Sequence, residues 1–414
     1  MIDFELSPEQ RQLQLDARAF AKTHLTDLRK KMAGKDAAGR FEATKEVYEA
    51  AVKAGYLKLQ VPPPLGGTMN SLVDVALVAE ELIAVESSLP LSVLSTGLGI
   101  MGLLFFGNPD QYAKFLPPFV SGEGAPLAGL SFSEPQGTAN YHNTDPSKGF
   151  QTSAVLDGDE WVINGRKIWT PHANGWGGKH ADLLAVAARV GMDKAPQESL
   201  SMFLVPGTTP GITIEENIET IGQPGAEVCV VRYENVRVPK ENLLGNVGDG
   251  IMIAETAFTA TAGLVGAMAI GVARKAFDIA LEFARTETRG GSVPIIQHQN
   301  VATILSDMKA KIEAGRYLTW KACWNFDRSM GRSQELSLVN KVFTSELMIG
   351  VITDAMRVVG VEAYKAHTGL MELLQDAMAY PLFDGGNVGV RRLQLQRVLS
   401  AEGYDAMAAA EGIF

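Results

Sequence analysis

One carboxylate sits in a setting suited to acid–base work. The segment Tyr380-Pro381-Leu382-Phe383-Asp384-Gly385-Gly386-Asn387 leads into Val388-Gly389-Val390-Arg391-Arg392. Asp-Gly-Gly is a turn signal, and Asn387 fits the N-cap of a following helix. Asp384 is then just outside a helix N-terminus, where the dipole favours a carboxylate. Arg391, seven residues on, shares a helical face with the turn and leans back towards it, so the two could pair. A carboxylate held in this way could remove a proton from a carbon acid as general base. The two glycines predict space for a flat ligand above the backbone. A turn aspartate with an unrelated surface arginine explains the same residues, and the segment alone leaves both readings open.

Three further segments could contact a planar polar ligand. Leu130-Ser131-Phe132-Ser133-Glu134-Pro135-Gln136-Gly137-Thr138-Ala139-Asn140-Tyr141 is rich in small residues that let backbone amides approach closely, although a Pro/Gly surface loop reads the same. Gly165-Arg166-Lys167-Ile168-Trp169-Thr170-Pro171-His172 puts an indole beside a hydroxyl, which could cover a ring and bond its edge; a core tryptophan is the alternative. Thr288-Arg289-Gly290-Gly291-Ser292, followed by His298-Gln299, offers an arginine with flexible neighbours to a pyrophosphate, or simply a solvated charge.

The elements that must position these segments fall into three parts. Residues 1–124 read as helices. Ser7-Pro8-Glu9-Gln10 is a capping box, and helices are predicted over 44–54, 71–85 and 109–120. Residues 125–240 read as a compact β domain. Its strands are expected at 183–190, 200–205, 212–218 and 228–236, with Trp161 to Gly165 entering an Asn-Gly turn. Residues 241–414 return to helix at 251–286, 299–329, 336–361 and 387–409, which suggests a four-helix bundle. The fold class is α+β.

Composition narrows the classes of function. The 414 residues are 46% hydrophobic and 20% charged, which is globular, and the formal net charge of −10 disfavours nucleic acid and anionic lipid. No basic-then-apolar leader is visible. The richest apolar run, Ala260 to Val272, reads as too short to span a bilayer, so no membrane partner is expected. Cys229 and Cys323 are far apart, which fits a reducing, cytoplasmic compartment. The histidines at 24, 142, 172, 180, 298 and 367 show no metal-ligand spacing, and there is no GxGxxG or GxSxG.

The four segments, in this order, resemble the FAD-contacting segments of the acyl-CoA dehydrogenase superfamily. The matching features are Ser133-Glu134-Pro135, the Asn164-Gly165-x-Lys167-x-Trp169-Thr170 stretch, and the acid-Gly turn before the last helix. The resemblance implies FAD between the β domain and the bundle, and noncovalent binding is expected because these segments hold no cysteine or histidine suited to a covalent link apart from His298, which is assigned to the cofactor's polar edge. It also implies homotetramers in which a neighbour completes the cofactor site, with Thr353-Asp354-Ala355-Met356-Arg357 among the contacts. Leu382, Phe383, Gly385 and Gly386 would border the flavin.

Within the superfamily, several runs resemble its nitroalkane-oxidising members. They include Pro64 to Met69, Leu264 to Gly271, Thr288 to Ser292 and Tyr380 to Asn387. That branch implies oxidation of a neutral nitroalkane to an aldehyde or ketone, with nitrite and hydrogen peroxide released and oxygen as oxidant. Asp384 stands where the dehydrogenases usually carry Glu, and Ala262 where many carry a charge near the thioester. Two positions depart from the branch: Pro171 and Thr261 both replace serine. Threonine keeps the hydroxyl, whereas proline removes hydroxyl and N–H alike, and Thr170 could substitute. An acyl-thioester dehydrogenase is the alternative.

Overall fold

The computed structural model describes residues 5–136, 140–141 and 143–411. The main helices of the first part are α1 (Pro8–His24), α2 (Lys45–Lys53), α3 (Leu72–Ile83), α4 (Ser88–Phe106) and α5 (Pro109–Phe115). The capping box at Ser7 is formed: Ser7 Oγ accepts from Gln10 N–H, and the Gln10 side chain returns to Ser7 N–H.

Helix α4 escapes the periodicity argument. It is apolar on nearly every face, so no polar stripe marks it. Its glycines serve contact: a Cβ on Gly99 would lie 2.6 Å from the backbone of Ala128 and Gly129. The helix therefore rests directly on the first strand of the β domain.

That domain is one eight-stranded sheet in two facing halves. Strands β1 (Ala128–Ser131), β2 (Ser153–Asp157), β3 (Glu160–Pro171), β4 (Leu183–Arg189), β5 (Leu200–Val205), β6 (Ile212–Asn217), β7 (Val228–Pro239) and β8 (Leu243–Leu244) run in the order β6-β7-β3-β2-β4-β5-β8, with β1 parallel to β4. A single bridge, Ser153 to Arg189, joins the halves. The expected Asn164-Gly165 turn is absent. β3 runs straight through these residues, and the register slips between Ile163 and Gly165 because β7 sets two residues, Glu234 and Asn235, against Asn164 alone. Asn164 Oδ1 instead accepts from Asn235 N–H across the slip.

The last part contains α6 (Gly250–Thr286), α7 (Gln299–Ser329), α8 (Glu335–Val359), α9 (Leu370–Ala379) and α10 (Arg392–Leu399). Three of these are long. The fourth expected helix, 387–409, is a π-turn over Asn387–Arg391 followed by a helix that ends at Leu399, and α9 is an addition. Two helices, α4 and α6, are long and apolar enough to cross a bilayer, contrary to the reading of the apolar runs. Their apolar windows are 72% and 89% buried inside the protein, which explains the composition without a membrane.

Helix α6 links two cores. Its first half, to Ala267, packs with the sheet and the N-terminal helices; its second half packs with α7, α8 and α9. Thr261 lies near this junction. Buried carboxylates Glu80 and Glu81 on α3 lock the first part to the bundle through Arg274 and Arg316.

Candidate active site

The turn after α9 presents Asp384. Leu382 and Phe383 N–H fold back on Ala379 O, and Asn387 N–H closes on Pro381 O at 2.8 Å. Asp384 adopts φ 52° and Gly385 φ 68°. The left-handed region is uncommon for a residue with a Cβ, and aspartate tolerates it better than most. Strain of this kind persists where the surroundings enforce it, often at functional sites.

The surroundings here are Arg391. The π-turn feeds its side chain back beneath the Asp384 turn. Nε donates to Asp384 O at 2.8 Å, and Nη2 donates to Asp384 Oδ2 at 2.9 Å and to Phe258 O at 3.2 Å. Nη1 donates to Gln394 Oε1 at 3.1 Å, and the guanidinium also stands 5.5 Å from the Phe258 ring centre. The side chains of Arg391 and Asp384 are only 1% and 4% exposed.

One expectation about this turn is corrected. Asn387 does not cap a helix; its amide is buried and bonded to α8, at Ser345 Oγ and Glu346 Oε1. On their Cβ sides both glycines are closely approached. A Cβ on Gly385 would lie 3.2 Å from Arg391 Nε, and one on Gly386 would lie 2.9 Å from Leu382 O. On its Cβ side, Gly385 makes room for the arginine.

Thr261 completes the cluster from α6. Its Oγ1 lies 2.8 Å from Asp384 Oδ1, and 3.3 Å from both Ala257 O and Phe258 O. A hydroxyl has one proton. It can donate to the carboxylate or swing back to its own helix, so Oδ1 can be released without stranding a buried donor. Ala262, next to it, is fully buried, and its carbonyl accepts from Asn340. No cation occupies that position.

A second cluster forms between the halves of the sheet. Ser131 Oγ lies 2.8 Å from Tyr233 Oη and 3.1 Å from Thr170 Oγ1, all three buried. The Thr170 hydroxyl is thus committed inward and does not replace the one lost at Pro171. Ile168 N–H donates to Ser133 O at 2.9 Å, which detaches β3 from β7 between Lys167 and Thr170. The next residue, Trp169, is thrown outward at φ 62° and is 53% exposed. An indole held open in a rare backbone conformation beside the Ser133 loop fits a face that covers a flat ring. This is the feature that fits a flavin.

Below the loop lies a buried ion pair that sequence reasoning did not single out. Lys167 Nζ donates to Glu134 Oε1 at 2.9 Å and to Phe132 O at 3.0 Å. Glu134 also accepts from Gln151 and Thr152 N–H. Lys167 and these amides hold its carboxyl below the ordinary carboxylate range in spite of burial. Both residues lie within motifs that stood out, but as neighbours of others.

Leu130, Ser131 and Phe132 are largely buried, Phe132 edge-on to Phe150 and Phe258. Asn140 is exposed, while Thr138 and Ala139 lie outside the described residues. Arg289 does not join the Asp384 cluster. It donates to Val359 O at the end of α8, just past Thr353–Arg357, and stacks on Phe283. Asp354 pairs with Lys311 and Arg357, and Ala355 is core, whereas Thr353 and Met356 are half-buried. His298 and Gln299 are exposed at the start of α7. Among the described residues no hydrogen bond or ion pair connects this group to Asp384.

Comparison with known proteins covers the whole chain. Profiles of the acyl-CoA dehydrogenase N-terminal, middle and C-terminal domains match residues 7–123, 129–236 and 248–400. The chain is 41% identical to nitroalkane oxidase of Fusarium oxysporum, over 100% of this chain and 98% of that one. It is 40% identical to nitroalkane oxidase of Podospora anserina, over 100% and 99%. Among solved structures, a nitroalkane oxidase active-site variant, aspartate to asparagine, crystallised with 1-nitrooctane superposes with a TM-score of 0.95 at 40% identity, over 99% of this chain and 100% of that one.

Proposed function

The chain belongs to the acyl-CoA dehydrogenase family of FAD-dependent flavoproteins, and from that premise we propose that it oxidises neutral nitroalkanes. In overall terms a nitroalkane, water and oxygen become an aldehyde or ketone, nitrite and hydrogen peroxide.

The observation that carries this reading is the Asp384 carboxylate. One oxygen is fixed by Arg391, and the other is held only by a hydroxyl that can let go. Removing the α-proton of a nitroalkane needs a base of this kind, oriented but not saturated. Arg391 orients the residue through one bond to a carboxylate oxygen and one to its backbone carbonyl. Thr261 releases Oδ1 when the substrate carbon approaches. The burial of the cluster keeps water from competing for the carboxylate. FAD, when bound, supplies the acceptor for the electron pair; Trp169, the Ser133 loop and Leu382–Phe383 would hold it.

The same reading carries further parts. Oxygen is the oxidant. The protein assembles as a homotetramer, in which Arg289, His298, Gln299 and Thr353–Arg357 serve the cofactor of a neighbouring copy. In support, among the described residues none of them is hydrogen-bonded or ion-paired to the Asp384 cluster of its own chain. Both cysteines are free and buried, which fits the reducing cytoplasm.

The test is the product. Purified holoenzyme given nitroethane in air should release nitrite and hydrogen peroxide in equal amounts. Formation of an enoyl thioester from an acyl-CoA with an artificial acceptor, and no nitrite from nitroethane, would replace the reading with that of a dehydrogenase.

A further inference from the structure

The bundle hides a lysine that the reaction as derived above does not use. Lys341, on α8, is fully buried. The one hydrogen bond of its side chain among the described residues goes from Nζ to Asn387 Oδ1, at 2.7 Å. Burying an ammonium against a single neutral acceptor is costly, and apolar side chains of similar length would fill the space more cheaply.

Asn387 is what this cost secures. Its N–H closes the turn that carries Asp384, on Pro381 O. Its amide nitrogen donates to Ser345 Oγ and Glu346 Oε1, both at 3.0 Å. An amide has one acceptor and two donors on opposite sides. With Lys341 on the oxygen and α8 acceptors on the nitrogen, only one orientation satisfies every partner. The charged groups that face Lys341 are Asp384 and Arg391 from the turn and the π-turn, and Glu346 from its own helix. Burial lowers the lysine to about 7, while Asp384 and Glu346 oppose that fall and Arg391 adds to it.

We propose that Lys341 is a positioning residue for the base: it locks the Asp384 turn to α8 through Asn387, and it sets a second positive charge, besides Arg391, behind the carboxylate. The proposal rests on Asp384 being the base. Lys341 and Asp384 attract one another, and coupling between two sites is reciprocal, so removing either removes that attraction from the other.

The experiment uses FAD-loaded Lys341→Met and Lys341→Arg. kcat/KM is measured from pH 5 to 10 with neutral nitroethane and, separately, with preformed ethyl nitronate. In Lys341→Met the acidic limb should move to higher pH, with a loss on the order of tenfold at pH 6 that narrows towards pH 9. Turnover of the nitronate should change less than about twofold, since its proton is already gone. Lys341→Arg should recover most of the loss at pH 6. A loss equal at every pH and with both substrates, not recovered by arginine, would overturn the proposal and leave a packing role. If wild type itself fails to oxidise nitroethane, the functional reading is what has failed. The urea midpoints of Lys341→Met, Asp384→Asn and the double variant at pH 6 then decide: non-additive effects support the coupling, and additive ones refute it. Should Lys341→Met not fold, Lys341→Gln carries the same comparison.

Discussion

Two buried ion pairs among the described residues, Lys167–Glu134 and Arg391–Asp384, lie on the cofactor segments, and they are finished differently. Glu134 spends both oxygens on fixed donors: Lys167, Gln151 N–H and Thr152 N–H. Asp384 has one oxygen on Arg391 and the other on the Thr261 hydroxyl, which has alternative acceptors on its own helix. The first is a joint between the Ser133 loop and β3. The second is likewise a buried cation with a carboxylate, Arg391 with Asp384, but it keeps a hydrogen-bonding position that can open. Burial and pairing alone therefore do not mark a site; the reserve of a movable donor does.

The largest effect should separate the two pairs. Asp384→Asn keeps the turn and removes the base. Flavin reduction by neutral nitroethane in a stopped-flow instrument should slow on the order of 10²–10⁴-fold, with FAD content normal and preformed nitronate still oxidised. An unchanged reduction rate would reduce Asp384 to a turn residue.

Lys167→Met should do the opposite. Leaving Glu134 buried without its cation should cost about 3–5 kcal/mol in a urea or thermal transition, with FAD lost as the Ser133 loop loosens. The double variant Glu134→Gln/Lys167→Met should recover part of that stability. A Lys167→Met protein as stable as wild type would show that the pair is not a joint.

A third carboxylate sharpens the contrast. Glu227 is buried with no cation paired to it among the described residues, accepting from Gly175 N–H, and burial pushes its carboxyl up to about 7. Between the unfolded value of 4.5 and about 7 the folded protein holds the extra proton. Stability from this group is therefore full below pH 4.5 and lost as pH rises through 7. Glu227→Gln should remove that slope and gain about 2 kcal/mol over wild type at pH 8 relative to pH 5, read from urea midpoints. Equal differences at both pH values would contradict the assignment.

The smallest of these effects concerns Arg391→Lys. A point charge can still reach one carboxylate oxygen but cannot make both bonds to Asp384 and the one to Phe258 O. A loss of about tenfold in kcat/KM is expected, with kcat for the nitronate nearly unchanged. A loss as deep as that of Asp384→Asn would mean that the arginine does more than orient.

Much of the architecture could be read from local pattern because the pattern and the burial agree. Helix α7 and strand β5 fall where periodicity and β-rich composition predict, at both ends. Helix α4 could not be read in this way, since burial on nearly every face removes the alternation that periodicity needs. The Asn164-Gly165 pair misled for a related reason. Asn-Gly favours a turn in isolation, but two long strands pairing on either side outweigh that preference and turn it into a slip.

By itself, the sequence determined the three-part order of elements and the spacing that lets Arg391 reach Asp384, because both follow from chain-local geometry. The resemblance carried by its motifs supplied Thr261 and the flavin segments. Only the tertiary structure decided which of those groups hold one another. Thr261 lies 123 residues from Asp384 and Lys341 lies 46 from Asn387, separations at which no periodicity operates. The π-turn, the inward Thr170 and the outward Trp169 were also settled there. Each depends on which hydrogen bonds remain unmet once the cores have closed, and that is a property of the packed molecule and not of any segment.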